Sequence, residues 1–172
     1  YKVFALRVLV EGRIGGIMIS GTAQKLAFSG ITEATLKYRE GGWNLGGVDA
    51  NGQLVSANIS SQNFWQTVSQ KRAGVGEFFA YDATNFRVRE FSLGYRIPFH
   101  SITFIKSAKL SVVARNLFWL YRGSSLLSIP GEGKRKMWFD PDMSFGGNNL
   151  KGVEYGILPS TRSVGINLNF TF

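Results

Sequence analysis

The chain contains no cysteine, and its only histidine is His100. Without cysteine, neither a disulfide framework nor a thiolate metal site is possible. A single histidine removes most multi-histidine metal sites and triad schemes. No apolar run approaches the ~20 residues that a transmembrane helix requires, whereas membrane strands need only ~9–11. A helical membrane protein is therefore excluded, and a β-barrel is not.

Positive charge is in excess, with 20 lysines and arginines against 11 acidic residues and a net charge of +9. Such a balance suits an anionic partner such as nucleic acid or phosphorylated lipid. The charges are scattered, however, and the only tight basic run is Lys134–Lys136. We therefore favour a simpler interpretation of the excess charge: the chain is a piece of a larger protein, and the count covers only part of that protein's charges. We also expect a processed chain or a fragment, because Tyr1–Phe4 already reads as a strand and no signal peptide precedes it.

Strict alternation of apolar and polar residues predicts a strand at the end of the chain. A period of two places every second side chain on one face of a strand. The apolar residues of this closing strand are Val164, Ile166, Leu168, Phe170 and Phe172. One apolar face and a terminal aromatic are together typical of the closing strand of an outer-membrane β-barrel, with lipid on one side and a wet lumen on the other.

Three further segments have strand character, at about 3–19, 86–97 and 108–120. The second departs from alternation because Arg87 and Arg89 share the phase of Phe91. Either a β-bulge resets the phase there, or the two arginines lie above the apolar band. Aromatic residues crowd the strand ends, which predicts either a girdle in the lipid headgroups or ordinary strand-end packing. These aromatics are Phe118, Trp119, Tyr121, Tyr95 and Phe99.

The connections between the four strands alternate long, short, long. Structureless connections of 40 to 65 residues are uncommon in a compact soluble domain. Membrane barrels combine long extracellular loops with short periplasmic turns, which makes 20–85 and 121–160 outer loops. Four strands cannot close a barrel, and an open edge cannot face lipid. The predicted fold is therefore all-β: about four C-terminal antiparallel strands of a large transmembrane β-barrel.

Several motifs resemble the SusC/RagA type of TonB-dependent outer-membrane transporter of Bacteroidota. The resemblance is dense after Tyr81 and follows the order and spacing of that family. The matching segments are Tyr81–Pro98, Ser111–Phe118 with its Arg-Asn-Leu-Phe core, Asp140–Asp142, Gly146–Leu150, Gly152–Gly156, Pro159–Arg162 and Asn167–Phe172, and, less specifically, Gly12–Gly16 and Asn63–Trp65.

The resemblance implies a 22-stranded barrel with a plugged lumen. The plug domain and TonB box are absent from this chain. In such transporters a SusD-like surface lipoprotein caps the barrel, and together they capture an oligosaccharide or peptide. TonB, driven by ExbB and ExbD, then displaces the plug. The resemblance therefore implies nutrient uptake across the outer membrane, with membrane lipid and the solute as further partners.

Two sets of residues are candidates for function. The first is polar and would line the lumen or contact the plug, or would simply solvate the wall: Arg7, Glu11, Arg13, Glu90, Arg96, Lys109 and Arg115. The second consists of aromatics that could stack on sugar, contact the lipoprotein lid or pack loop on loop: Trp43, Trp65, Trp138 and Tyr155, with Tyr38.

No catalytic constellation, cofactor site or metal site is predicted, and we expect no enzyme. Asp140 and Asp142, with Glu132 nearby, could form an acid pair or an oxygen-ligand cation site. A proline-stiffened turn with solvated carboxylates is the simpler interpretation.

Three other functions stay open. A structural or adhesive membrane barrel would insert without transport. A soluble carbohydrate-binding β-sandwich would use its tryptophans. A basic nucleic-acid binder lacks a recognition helix, an aromatic RNA-binding motif and a clustered basic face.

Overall fold

A computed structural model describes residues 3–98, 104–129, 133–144 and 152–172. The fold is mostly β-sheet with largely antiparallel pairing, as predicted. Its strands are β1 Phe4–Arg13, β2 Ile17–Ser20, β3 Trp43–Val48, β4 Leu54–Ile59, β5 Ala80–Asp82, β6 Asn85–Ile97, β7 Ser107–Arg122, β8 Ser124–Ile129, β9 Gly133–Lys136, β10 Val153–Glu154 and β11 Ser163–Thr171. The helices are α1 Gly21–Phe28 and α2 Ser61–Val68, with short 3-10 turns at Glu33–Thr35 and Gly76–Phe79.

The long strands form one four-stranded antiparallel sheet in the order β1-β6-β7-β11. Its register aligns apolar residues across all four strands, so one face is apolar and the other is mainly polar. The apolar face consists of the rows Phe4–Tyr95–Leu110–Leu168, Leu6–Leu93–Val112–Ile166 and Val8–Phe91–Ala114–Val164. Intervening rows, such as Arg7–Ser92–Val113–Gly165, form the polar face.

The apolar face is uncovered by any other part of the described chain. Ile166 is 76% exposed, Leu6 64% and Leu93 42%. The sheet is also open, because β1 and β11 are its edges in the described pairing. Water contact with so much apolar surface is unfavourable by roughly 25 cal/mol per Å².

A β-bulge resets the phase of β6 at the two arginines, as one of the two sequence interpretations predicted. Arg89 has no partner on β1, because Leu9 pairs with Glu90 and Val10 with Val88. On β7 the same level holds an extra residue, and Asn116 adopts a left-handed φ of 54°. Asparagine tolerates that conformation better than most residues.

The predicted strand at 3–19 is two strands, which corrects the first assignment. The chain turns after Arg13 through Gly15 and Gly16, whose φ angles of 78° and 88° favour glycine. β2 then joins a second, five-stranded sheet in the order β10-β2-β5-β8-β9. Ile14 therefore lies outside the apolar face.

The segments predicted as outer loops hold a folded region, which we call the cap: residues 17–84 together with 123–129, 133–144 and 152–159. Serine caps start both of its helices, since Ser20 Oγ accepts from Ala23 N at 3.0 Å and Ser60 Oγ from Asn63 N at 3.2 Å. The larger of its two cores contains Ala23, Ala27, Trp43, Phe64, Trp65, Val68, Phe79 and Ile129. The smaller contains Met18, Tyr81, Ala83, Met137 and Phe139. The long connections are thus not structureless.

Candidate functional site

All seven predicted polar residues occur on the polar face or at its end. Glu90 lies between two arginines, with its carboxylate 3.7 Å from Arg7 Nε and 3.5 Å from Arg115 Nε. The register places Arg96 directly opposite Lys109, two like charges. Glu11 and Arg13 lie at the C-terminal end of β1, opposite Arg87 and Asn85. The face therefore combines compensated charge at its middle with excess positive charge at one end.

A buried ion pair joins the polar face to the cap. Arg87 is only 3% exposed, and its guanidinium lies 4.5 Å from the centre of the Trp119 ring. Its Nη1 is 3.5 Å from one oxygen each of Asp140 and Asp142, and its Nη2 donates to Ser160 Oγ. Trp119 therefore packs on Arg87 on the polar face, and not in the lipid girdle that was one of its two predicted roles.

Arg89 strengthens the same attachment from the bulge. It pairs with Glu11, donates to Asn116 Oδ1 at 3.2 Å and contacts Asp142 Oδ2 at 2.7 Å. Asn116 Nδ2 in turn donates to the carbonyl of Thr161 at 3.0 Å. These contacts, which we call the latch, hold the turn at 140–142 and the approach to β11 against β6 and β7.

Asp140 is the centre of the latch. It is 7% exposed, and it accepts from the backbone N–H groups of Asp142 at 3.0 Å and Ser160 at 3.1 Å. Burial raises the pKa of this carboxyl, but hydrogen bonds from Ser160 and Asp142 and the charge of Arg87 outweigh it, so the pKa lies below its usual value. The described residues contain no group of three or more possible metal ligands. The predicted turn is present, since Met143 N donates to the Asp140 carbonyl, but Asp140 is buried in it rather than solvated. Glu132, which the cation-site interpretation also includes, lies outside the described residues.

The latch should depend on pH through Asp140. A depressed folded pKa contributes stability above the unfolded value near 3.8, and that contribution is lost as the pH falls through the folded pKa. At pH 7 we expect Asp140→Asn to lower the free energy of unfolding by about 1–3 kcal/mol, the cost of a compromised buried hydrogen-bond acceptor. The measurement is thermal unfolding of both proteins as the pH is lowered from 7 into the acid range, where the gap between the two curves should narrow. A difference that stays constant across this range would contradict the assignment.

The aromatic candidates of the cap divide into two groups. Trp43 and Trp65 are 4% and 1% exposed and pack around Phe64, so neither presents a face to a solute. Loop packing, one of the three predicted roles, is the role the structure gives them. Trp138 and Tyr155 are 50% and 44% exposed and stay available for contact.

Aromatic side chains contact each other at both ends of the strands of the four-stranded sheet. Phe4 and Tyr95 have ring centres 5.0 Å apart, and Phe104 and Phe172 5.3 Å apart, at one end. Phe86 and Tyr121, 6.5 Å apart, are at the other end, beside the half-exposed Phe118. Phe99 and His100 lie outside the described residues.

Sequence reasoning missed the role of Arg87, Arg89 and Ser160. The one visible signal was the break in alternation at the two arginines, which the bulge explains. No helix in the described part of the chain is long and apolar enough to cross a membrane. Comparison of the chain with protein-family models and with curated proteins finds no match.

Proposed function

We propose that this chain forms the closing strands and cap of a SusC/RagA-type, TonB-dependent transporter in the cell outer membrane. It would import a large nutrient, an oligosaccharide or a peptide, together with a SusD-like lipoprotein and TonB-ExbB-ExbD. The observation that carries the proposal is the four-stranded sheet with one continuous, exposed apolar face and two edges that pair with no other described strand.

The two faces of the sheet fit a barrel wall between lipid and water. Lipid would cover the apolar rows, and a wet lumen would solvate the polar rows with Glu90 and its two arginines. In lipid every backbone N–H and C=O needs a partner, so β1 and β11 require further strands on their open sides. A wall of this kind belongs to a larger closed sheet.

The aromatic contacts are spaced for a bilayer. From Phe4 to Gly12 the strand rises about 26 Å, at ~3.3 Å per residue. Strands tilted by about 40° would bring this to roughly 20 Å along the membrane normal, close to the ~25 Å of an outer-membrane apolar band. The pairs Phe4–Tyr95 and Phe86–Tyr121 occupy the two limits of this span.

Transport and its partners are proposed on the motif resemblance, and the exposed aromatics of the cap support the proposal. It adjoins the Phe86–Tyr121 end and carries the exposed Trp138 and Tyr155. A folded cap offers a fixed surface to a lipoprotein lid or a solute. A β-sandwich is disfavoured because no second sheet within the described ranges covers the apolar face.

Energy-dependent uptake tests the proposal against a structural or adhesive barrel. Cells that make the full-length gene product should take up a labelled oligosaccharide or peptide pool, and uptake should fall to background without TonB or with a protonophore. The control is the amount of the protein in the outer membrane, which should not change. Normal insertion with uptake that is insensitive to both treatments would favour the non-transporting barrel.

A further inference from the structure

A basic groove opens on the cap between α1, the segment that follows α2, and Tyr155. Its volume is about 630 Å³, within the range of pockets that hold small ligands. Three cationic side chains line it: Lys25, Lys71 and Arg72. The remaining lining is Gly21, Gln24, Phe28, Ser29, Ser69, Gln70 and Tyr155.

The positive charge of this groove is uncompensated. No acidic residue lines it, and none of its three cations forms an ion pair with another described residue. The nearest acid in sequence to Tyr155, Glu154, is 3% exposed and accepts hydrogen bonds from Ser20 and Thr22 at 2.5 Å each. An anion in the groove would therefore meet cations without a competing carboxylate at its surface.

Tyr155 provides an aromatic surface beside these cations. A Cβ atom at Gly21 would lie 2.5 Å from the ring's Cδ2, so glycine lets the ring rest against the start of α1. The residue stays 44% exposed. An exposed, positioned aromatic ring offers an apolar face at low cost in conformational entropy, which suits the flat apolar side of a sugar ring.

Uncharged polar groups complete the lining. Gln24 Nε2 donates to the Gln70 carbonyl at 3.1 Å, which fixes one amide at the wall of the groove. The Ser69 hydroxyl is buried and has no hydrogen-bond partner among the described residues.

We propose that this groove binds an anionic saccharide, a sugar whose carboxylate or sulfate group pairs with Lys71 and Arg72 while its ring stacks on Tyr155. This proposal rests on the proposed function, because it requires the cap to face the solute that the transporter imports. It narrows the imported nutrient from oligosaccharide or peptide to an acidic glycan. Arginine and lysine donors together with an aromatic ring in one groove distinguish a charged sugar from a neutral one.

Calorimetric titration of the full-length protein in detergent tests the groove. The probes are tetragalacturonate, a chondroitin sulfate tetrasaccharide, neutral maltotetraose and a tetraglutamate peptide. We expect at least one acidic saccharide to bind about tenfold more tightly than maltotetraose at low ionic strength, where exposed charges are least screened. The two acidic saccharides separate a carboxylate preference from a sulfate preference. Equal binding of maltotetraose, or tightest binding of tetraglutamate, would overturn the assignment.

Matched variants locate the binding. Lys71→Ala with Arg72→Ala, and separately Tyr155→Ala, should each weaken binding of the acidic saccharide by about tenfold, the loss expected for charge-assisted hydrogen bonds or an aromatic stack. The control is Lys134→Ala with Lys136→Ala, which removes the same charge from β9, outside the groove. Equal weakening by the control would mean that net charge, not this groove, carries the binding.

Uptake measurements separate this proposal from the proposed function. Energy-dependent uptake of the acidic saccharide that the groove variants leave unchanged would overturn the groove and leave transport standing. Groove-dependent binding without any uptake would overturn transport and leave the groove standing.

Discussion

Ile166→Lys should prevent assembly of the protein into the membrane, while the neighbouring Asn167→Lys should leave assembly nearly unchanged. Both positions lie on β11, one residue apart, and are exposed. Their side chains point to opposite faces of the sheet, Ile166 in the row with Val112 and Asn167 in the row with Ser111. A lysine on a lipid-facing strand costs roughly 2–4 kcal/mol near the midplane, whereas a wet lumen solvates it.

The measurement is the amount of each variant that reaches the outer membrane and resists extraction, compared with the unmodified protein. The pair is matched in substitution, strand and depth, so general effects of an added positive charge cancel. If water covered both faces of the sheet, Ile166→Lys would be tolerated. Ile166 is 76% exposed, and lysine there would reduce the apolar surface in contact with water. Equal assembly of both variants would therefore contradict the membrane assignment.

The strands of the four-stranded sheet were predictable because one physical rule governs each of them. When the two faces of a strand meet different surroundings, apolar and polar residues alternate along it, and Ser163–Phe172 follows this rule without a break. The bulge was predictable as an alternative, because Arg87 and Arg89 violate the rule at one place. The register was not predictable, because alternation fixes the face on which a residue lies but not its partner on the neighbouring strand.

The cap was not predictable because its elements are short and its contacts are distant in sequence. β5 has three residues and β10 two, too few for periodicity to register. The buried state of Trp65 depends on packing with Phe79 and Ile129, far along the chain. The latch joins Arg87 to Ser160 across 73 positions, and no local pattern encodes that contact. The sequence therefore left exposure and loop packing open for Trp43 and Trp65, and tertiary structure buries both of them together with Asp140.

Arg87→Ala should detach the turn at 140–142 from the four-stranded sheet. Both partners of the Arg87–Asp140 pair are buried, with side chains 4% and 5% exposed. Removing Arg87 leaves the Asp140 carboxylate buried without its counter-ion. We expect this to lower the free energy of unfolding by about 3–5 kcal/mol. The loss also removes the cation that packs on Trp119. We expect a large drop in thermal stability in detergent and new protease cleavage near residues 140–142.

Arg115→Ala is the matched control, because it removes an arginine from an ion pair of the same length in a different environment. Arg115 Nε lies 3.5 Å from Glu90, the same separation as Arg87 Nη1 from Asp140, but its side chain is 65% exposed. Water and salt screen such a pair, so its removal should cost only about 0–1 kcal/mol. Glu90 also keeps Arg7 at 3.7 Å as a second partner. If both variants lost the same stability, burial would not be what makes the latch strong.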